Sequence, residues 1–474
     1  LNIVMRGILC ALTLVLAGTA LVSPAAADRF TLADALALAY EHNPELEAQR
    51  ARVRQADDTV AEARGNYRPN VGITGSYGYN RNNELSLDQK GFPGAGQIQE
   101  LTPTVGRATL SQTVYSGGQA YAQVQRAIAL VRSARADLLN AEQQILFAAT
   151  QAYMDTVRDA ENLRLHRSDV DVLMRQRQAT QTELDAGAAT KTDLQEVDVR
   201  LAGSQADLAQ AESQLAQSRD NFERIIGRPP ETLEQAPPMP HLPGTQEQAL
   251  ALALKLSPRI QGAQAQDKAA QYGLDNAVGA LLPHASIQAD MNYFHDSLQS
   301  PFGAGNSFDF IPGNKSTSFD VLGQISIPLY QGGAEDARIA EAKQQHTQTM
   351  LGIADADQAT RQTVKDAWAA FHAAQTAVAY NTSRVQSSEL ALSGVIQQQH
   401  QGERLIIDIL NAEQERLQAQ LAAAASHHDM VLTGYQLLAA SGELTARHLA
   451  LRVKIYDPND YFKDHASSWF DLGN

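Results

Sequence analysis

The chain has 474 residues, 6% aromatic side chains, one cysteine and a formal net charge of −15. So acidic a balance argues against nucleic-acid binding, and a lone Cys10 excludes an internal disulfide or any site built from several cysteines. Few aromatics and abundant alanine favour long packed helices over a thick globular core.

Residues 1–27 read as a secretory signal: Arg6, an apolar run from Ile8 to Val22, then Ala25, Ala26 and Ala27 before Asp28. The run falls short of the ~20 residues of a helical membrane span, and Cys10 lies inside it, too early for lipid attachment. Its removal takes away Arg6 and moves the net charge from −15 to −16. No later stretch is apolar enough to cross a bilayer as a helix. An exported chain of this kind is periplasmic, extracellular or an outer-membrane β-barrel.

The remainder is a tandem duplication. Ala35 to Pro44 returns as Ala249 to Pro258, and Pro69 as Pro283, at an offset of 214. Leu110 to Gly118 then returns as Ile325 to Gly333, Ala152-Tyr153 as Ala367-Trp368, and Gly227 as Gly442, at an offset of 215. The expected organisation is a signal at 1–27, a first repeat at 28–227, a Pro-rich linker at 228–243, a second repeat at 244–442 and a tail at 443–474.

Each repeat reads as short helix, strand, strand, long helix, tip and return helix. The short helices are expected at about Pro44 to Gly65 and Pro258 to Gly279. The strands show period-two alternation. Val71, Ile73, Tyr77 and Tyr79 alternate with Asn70, Thr74 and Ser76 in the first; Arg107 to Tyr115 is a weaker second. In the third, Ala285, Ile287, Ala289, Met291 and Tyr293 alternate with polar residues, and the fourth runs from Phe319 to Leu329. The segments Arg81 to Pro103 and Asp296 to Ser316 read as loops. Strands of about 10 residues with one apolar side suit a membrane barrel, but four cannot close one, for which about 8 is the minimum. Lipid-facing strands would therefore require several copies of the chain, because open edges in lipid leave backbone groups unsatisfied. From the strands alone, a small soluble four-stranded sheet stands as the other reading.

After each Gly-Gly pair comes a proline-free run of about 69 residues, roughly 100 Å as a helix. In the first, Ala127, Val131, Ala134, Leu138, Ala141, Ile145, Ala148 and Ala152 recur at steps of four and three, a coiled-coil seam. The return helices repeat the pattern, from Leu194 to Ile225 and from Leu417 to Leu438. At roughly 55 Å they are too short to match their partners alone, and the short helices add roughly 33 Å. Between long and return helices lie two related tips, Gly187-Ala188-Ala189-Thr190-Lys191-Thr192-Asp193 and Gly402-Glu403-Arg404-Leu405-Ile406-Ile407-Asp408. Thr190 with Asp193 has the form of a capping box, and a first-turn carboxylate offsets the positive helix end by about 0.3–1 kcal/mol. That local role alone would account for Asp193 and Asp408.

The duplication, the Pro-started strands, the aromatic-x-Gly-Gly entry to each long helix and the Gly-x5-Asp tips together resemble the TolC family of outer-membrane channel proteins. The resemblance spans nearly all of the chain after residue 27. It implies a mainly α fold with a β-barrel contribution: a homotrimer whose duplicated long hairpins form a helical tunnel, with four strands per chain building a twelve-stranded barrel in outer-membrane lipid. It also implies partners, namely a periplasmic adaptor and an inner-membrane pump or ABC transporter, and a cargo of proteins or small toxic compounds. Lys454 to Tyr461 and Trp469-Phe470 are similar to tails in the type I secretion branch.

By this resemblance Arg404 and Asp408 hold a periplasmic entrance closed against Thr192 and Asp193. Asn411 stands where the family archetype has a second acidic residue, and Gln399 where it has a tyrosine. Adaptor contact is implied for Ala186, Gly187, Ala188, Gly402 and Glu403. No catalytic constellation is expected, and no metal or other cofactor: His427-His428 lacks a carboxylate or cysteine set at ligand spacing. A periplasmic adaptor and a soluble coiled-coil scaffold are the alternatives, although an adaptor usually has one hairpin flanked by compact β domains.

Overall fold

The computed structural model describes residues 30–84, 97–235, 237–295, 298–299 and 315–465. The expected signal at 1–27 and the Trp469-Phe470 end lie outside these residues. The first half comprises α1 (Leu32–His42), α2 (Pro44–Gly65), β1 (Asn70–Tyr77), β2 (Asn80–Glu84), β3 (Gln97–Leu101), β4 (Thr104–Ser116), α3 (Gln119–Asp185) and α4 (Lys191–Ile226). The second comprises α5 (Gln246–Leu256), α6 (Pro258–Gly279), β5 (His284–His295), β6 (Leu298–Gln299), β7 (Lys315–Ser326), α7 (Ala334–His400) and α8 (Ile406–Ser441), followed by α9 (Pro458–His465) in the tail.

Each half thus opens with two helices instead of the one expected. The break is local chemistry: Pro44 and Pro258 have no N–H to continue a helix and push the preceding residue out of the α region. Asn43 sits at φ −69°, ψ 121° and Ser257 at φ −55°, ψ 120°, both outside the α region. The expected loop at 81–103 also contains β2 and β3, which pair with each other, while β3 pairs with β6. The fourth strand stops at Ser326, before Ile327 and Leu329, because Pro328 lacks a donor for a ladder.

The main sheet is antiparallel in the order β1-β4-β5-β7. Its register sorts the side chains. Val71, Leu110, Ala289 and Val321 form one cross-strand row, and Ile73, Ala108, Met291 and Phe319 the next on the same face. The opposite face carries Thr74, Arg107, Asn292 and Ser318 in one row and Gly72, Thr109, Asp290 and Asp320 in another. Arg107 Nε donates to Asn292 Oδ1 at 2.8 Å there. The apolar face lies bare, with Ile73 82% and Phe319 71% exposed. A bulge at Val114, between Thr113 and Tyr115, explains why β4 alternates poorly in sequence.

α3 and α7 are 67 residues each, about 100 Å. α3 packs on α2 and α4, and α7 on α6 and α8; α6 and α8 also contact α3, joining the two halves. The anticipated seam is real: Ala127, Val131, Leu138, Ala141, Ile145 and Ala152 of α3 are buried, as are Val197, Ser204, Ala211, Leu215, Ser218 and Phe222 of α4.

The largest core lies where α2 and α4 end against α3. Tyr153, Phe222, Leu36, Leu46, Leu146 and Ile226 are almost wholly buried in it. Asn43 ties the junction: its Oδ1 accepts from the Glu45 and Leu46 N–H groups at 3.0 and 3.4 Å, and its Nδ2 donates to the Ile225 carbonyl at 3.4 Å. Tyr153 donates its hydroxyl to the Phe30 carbonyl at 2.9 Å and accepts from the Glu234 N–H at 2.9 Å, fastening the linker to α3. In the tail, α9 lies on α2, with Arg135 of α3 donating to Asn459 Oδ1 at 2.8 Å.

The register makes a testable distinction between neighbouring residues. Val321→Arg places a charge on the apolar face, at a cost of about 2–4 kcal/mol at bilayer mid-depth. Leu322→Arg falls on the opposite face. Flotation with liposomes is expected to recover the Leu322 variant like the parent and to lose most of the Val321 variant.

Candidate functional site at the hairpin tips

Both tips fold alike. α3 ends with Gly187 at φ 76° and α7 with Gly402 at φ 79°, left-handed conformations that glycine adopts without a Cβ clash. The Ala188 N–H reaches back to the Glu183 carbonyl at 2.8 Å and the Glu403 N–H to the Gln398 carbonyl at 3.0 Å, the bond that closes a Schellman turn.

The helices that follow are capped unequally. Thr190 and Asp193 form a reciprocal box: the Thr190 N–H and hydroxyl donate to Asp193 Oδ2 at 2.8 and 2.7 Å, and the Asp193 N–H donates to Thr190 Oγ1 at 3.2 Å. These donors hold the Asp193 carboxyl below its ordinary range, so the cap persists above that lowered pKa and is lost as pH falls through it. In the second tip Leu405 stands in the place of Thr190. Asp408 Oδ2 accepts from the Leu405 N–H at 3.2 Å, but a leucine side chain cannot return the bond. Leu405 is 69% exposed.

The tips are held together by packing. Leu173, Val197, Ile406 and Leu410 are buried against one another, with Leu201 and Ile407 at the edge, so the start of α8 sits on the start of α4. Arg200 of α4 reaches across, donating to Asn411 Oδ1 at 2.9 Å and to Gln414. Neither Arg200 nor Gln414 stands out in sequence. Arg200 lies one heptad beyond Asp193, which is the only hint that it shares a face with the tip.

The expected site residues thus divide. Asn411 is engaged from the other hairpin by Arg200. Arg404 stays within its own tip, with Nε donating to Gln398 Oε1 at 3.1 Å and Nη1 at 3.8 Å from Asp408 Oδ2. Among the described residues of one chain, no hydrogen bond or ion pair joins Arg404 or Asp408 to Thr192 or Asp193. Ala186, Gly187, Ala188, Gly402 and Glu403 are exposed at the extreme end, and Thr192 and Arg404 are exposed beside them.

A bare-faced antiparallel sheet continued into two paired hairpins about 100 Å long defines an outer-membrane channel with a helical duct. Residues 35–228 and 249–443 each match the outer membrane efflux protein family, and the chain belongs to it. It is 32% identical over 464 residues to the outer membrane efflux protein BepC of Brucella suis, covering 98% of this chain and 96% of that one. It is 23% identical to the outer membrane protein TolC of Vibrio cholerae, over 87% of this chain and 91% of the relative. The crystal structure of the Campylobacter jejuni CmeC outer membrane channel superposes with a TM-score of 0.75 at 13% identity, covering 92% and 89% of the two chains.

The unequal caps predict unequal responses. Thr190→Ala is expected to destabilise the first tip by about 1 kcal/mol, and Leu405→Thr to stabilise the second by a similar amount by completing its box. Amide exchange at the start of α4 and of α8 measures both.

Proposed function

We propose that three copies of this chain form the exit duct of a tripartite efflux or type I secretion system, carrying small toxic compounds or proteins outward. The observation that carries this reading is the sheet. Among the described residues its apolar face has no cover and its two edges, β1 and β7, are open, a combination that lipid tolerates only when neighbouring copies close the ladder into a barrel. The flank of α7 supports it, since Leu351, Tyr380 and Leu390 are 67%, 73% and 74% exposed in a single chain. The working units are the two repeats, 28–227 and 244–442, joined by the linker at 228–243 and followed by the tail at 443–474. The role is transport, not catalysis.

On this reading the tips surround the threefold axis and constrict the periplasmic entrance. Arg404 and Asp408 of one copy meet Thr192 and Asp193 of a neighbouring copy, and Arg404, exposed and held only by its contacts with Gln398 and Asp408, turns outward to make a bidentate contact. Three Asp408 carboxylates around one axis repel one another and attract cations. Asn411 adds no second ring of charge, and Arg200 beside it lowers the negative potential further. The exposed Ala186, Gly187, Ala188, Gly402 and Glu403 form the docking rim for a periplasmic adaptor, which connects the duct to an inner-membrane pump or ABC transporter.

Single-channel recording in planar bilayers tests the entrance. Arg404→Ser and Asp193→Ala are each expected to raise conductance well above the parent, and conductance unchanged in both would count against the gate. Recovery of the protein in the soluble periplasmic fraction would end the channel reading itself.

A further inference from the structure

A group of charges around the buried His428 and Asp159 joins the two hairpins far from the tips, with Asp155 and Arg158 part-buried and Asp429 at the surface, and nothing in the channel reading uses it. His428 of α8 is 93% enclosed, its side chain only 7% exposed. Its Nε2 lies 2.9 Å from Asp155 Oδ1 on α3 and its Nδ1 2.9 Å from Asp429 Oδ1 on α8. Ionised carboxylates only accept hydrogen bonds, and a neutral imidazole has a single N–H. With the ring nitrogens facing the two carboxylates as they do, both contacts are hydrogen bonds only when the ring carries both protons.

The surrounding charges are countable. On α3, Arg158 Nη1 lies 2.9 Å from Asp155 Oδ1 and its Nε 2.8 Å from Asp159 Oδ1. Ser218 of α4 donates to the other oxygen of Asp159. Arg158 Nη1 is also 3.4 Å from His428 Nε2, so the two cations share Asp155. The adjoining recess holds exposed His427, the Glu161 and Arg164 pair, Val385 of α7, and Gln235, Pro237 and Met239 of the linker. With His428 protonated, the inner group of Asp155, Asp159, Asp429, Arg158 and His428 carries one net negative charge. Deprotonation makes it two and turns a ring lone pair toward one carboxylate.

The arrangement is not a by-product of the duplication. At an offset of 215, His428 corresponds to Ser213, Asp429 to Gln214 and Asp155 to Ala370. The group exists once per chain, at the junction between hairpins.

We propose that His428 is a proton-operated clasp: protonated, it bonds Asp155 of the first hairpin and Asp429 of its own helix at once, and deprotonated, it can satisfy only one of them and leaves Arg158 as the single cation among three carboxylates, which weakens the contact of α8 with α3. Burial and the nearby Arg158 cation pull the His428 pKa down, but the bonds to Asp155 and Asp429 outweigh them and leave the value raised; Asp155, desolvated yet bonded to His428 and Arg158, is lowered. A raised histidine pKa means that its stabilisation is complete below the unfolded-state value and is lost as pH rises through the folded-state value. On the channel reading, which this consequence rests on, the relative position of the hairpins sets the width of the entrance, so opening becomes easier at alkaline pH.

The test is hydrogen exchange on the full-length protein in lipid, corrected for the intrinsic pH dependence of exchange. Amides at 150–160 and 424–432 are expected to exchange faster at about pH 8.5 than at about pH 6, by about tenfold for each unit by which the pKa is raised. His428→Gln removes the titrating group and is expected to flatten the profile. Asp429→Asn keeps the histidine and the fold while offering a neutral imidazole either a donor or an acceptor, and it too is expected to shrink the response. A flat profile in the parent, or an undiminished one in both variants, would overturn the clasp. Failure of the channel reading is separately visible, as absence of conductance in planar bilayers at every pH.

Discussion

Everything in this molecule depends on giving each 67-residue helix a continuous partner built from discontinuous pieces. α3 runs unbroken from the sheet to the tip, whereas its partner is α2 over one part and α4 over the other. A junction of two helix ends exposes unsatisfied N–H and C=O groups, and the chain resolves this with one side chain. Asn43 caps the start of α2 with its carbonyl oxygen and takes up the carbonyl of Ile225, in the last turn of α4, with its amide nitrogen. The second half solves the same problem by close packing: a Cβ on Gly442, just past α8, would lie 2.9 Å from the Leu256 backbone at the end of α5. The largest core gathers at the first of these junctions, where α1, the linker residues Thr232 to Glu234 and the residues after α8 converge.

The two ends of the duct face different solvents and are built accordingly. At the sheet, backbone groups within the ladder are satisfied by pairing, the outer edges of β1 and β7 apart, and the side chains divide mostly by face, as lipid on one side and a polar lumen on the other require. At the tips, exposed small residues and short polar contacts predominate, and the cluster around Val197, Ile406 and Leu410 together with the bonds from Arg200 holds the hairpins in register. Between these ends the contact of α3 with α8 carries the buried charges around His428. The two hairpins are therefore joined by apolar packing and by the Arg200 bonds at the tip, and farther up by the main core together with the charges around His428.

The regular elements were legible because each has a period. Steps of three and four located the seams of α3, α4 and α8, and period two located β1, β5 and β7. Where a period was interrupted the reading failed in a definite way. Val114, the bulged residue, blurred β4; Pro328 ended β7 three residues before its apolar alternation ran out; and the short polar strands β2 and β3 passed for loop. α1 and α5 were missed because a ten-residue Ala-Leu stretch ahead of a proline shows repeat identity more clearly than it shows a helix boundary. The tip residues were found from glycine and capping chemistry, but Arg200 was not, since its partners Asn411 and Gln414 lie 211 and 214 residues away.

By itself the sequence determined the duplication, the lengths of the helices, the two tips and the alternation of the strands, all of which follow from local periodicity and backbone preference. Only the tertiary structure decided which hairpin touches which. The pairings of Asn43 with Ile225, Arg200 with Asn411 and His428 with Asp155 unite residues about two hundred positions or more apart on surfaces that no single element's period specifies. Those contacts arise where long helices cross or meet end to end, and the crossing angle and supercoil that set them depend on how the whole bundle packs. For that reason the channel's architecture can be read from its repeats, while the ties that govern its movement cannot.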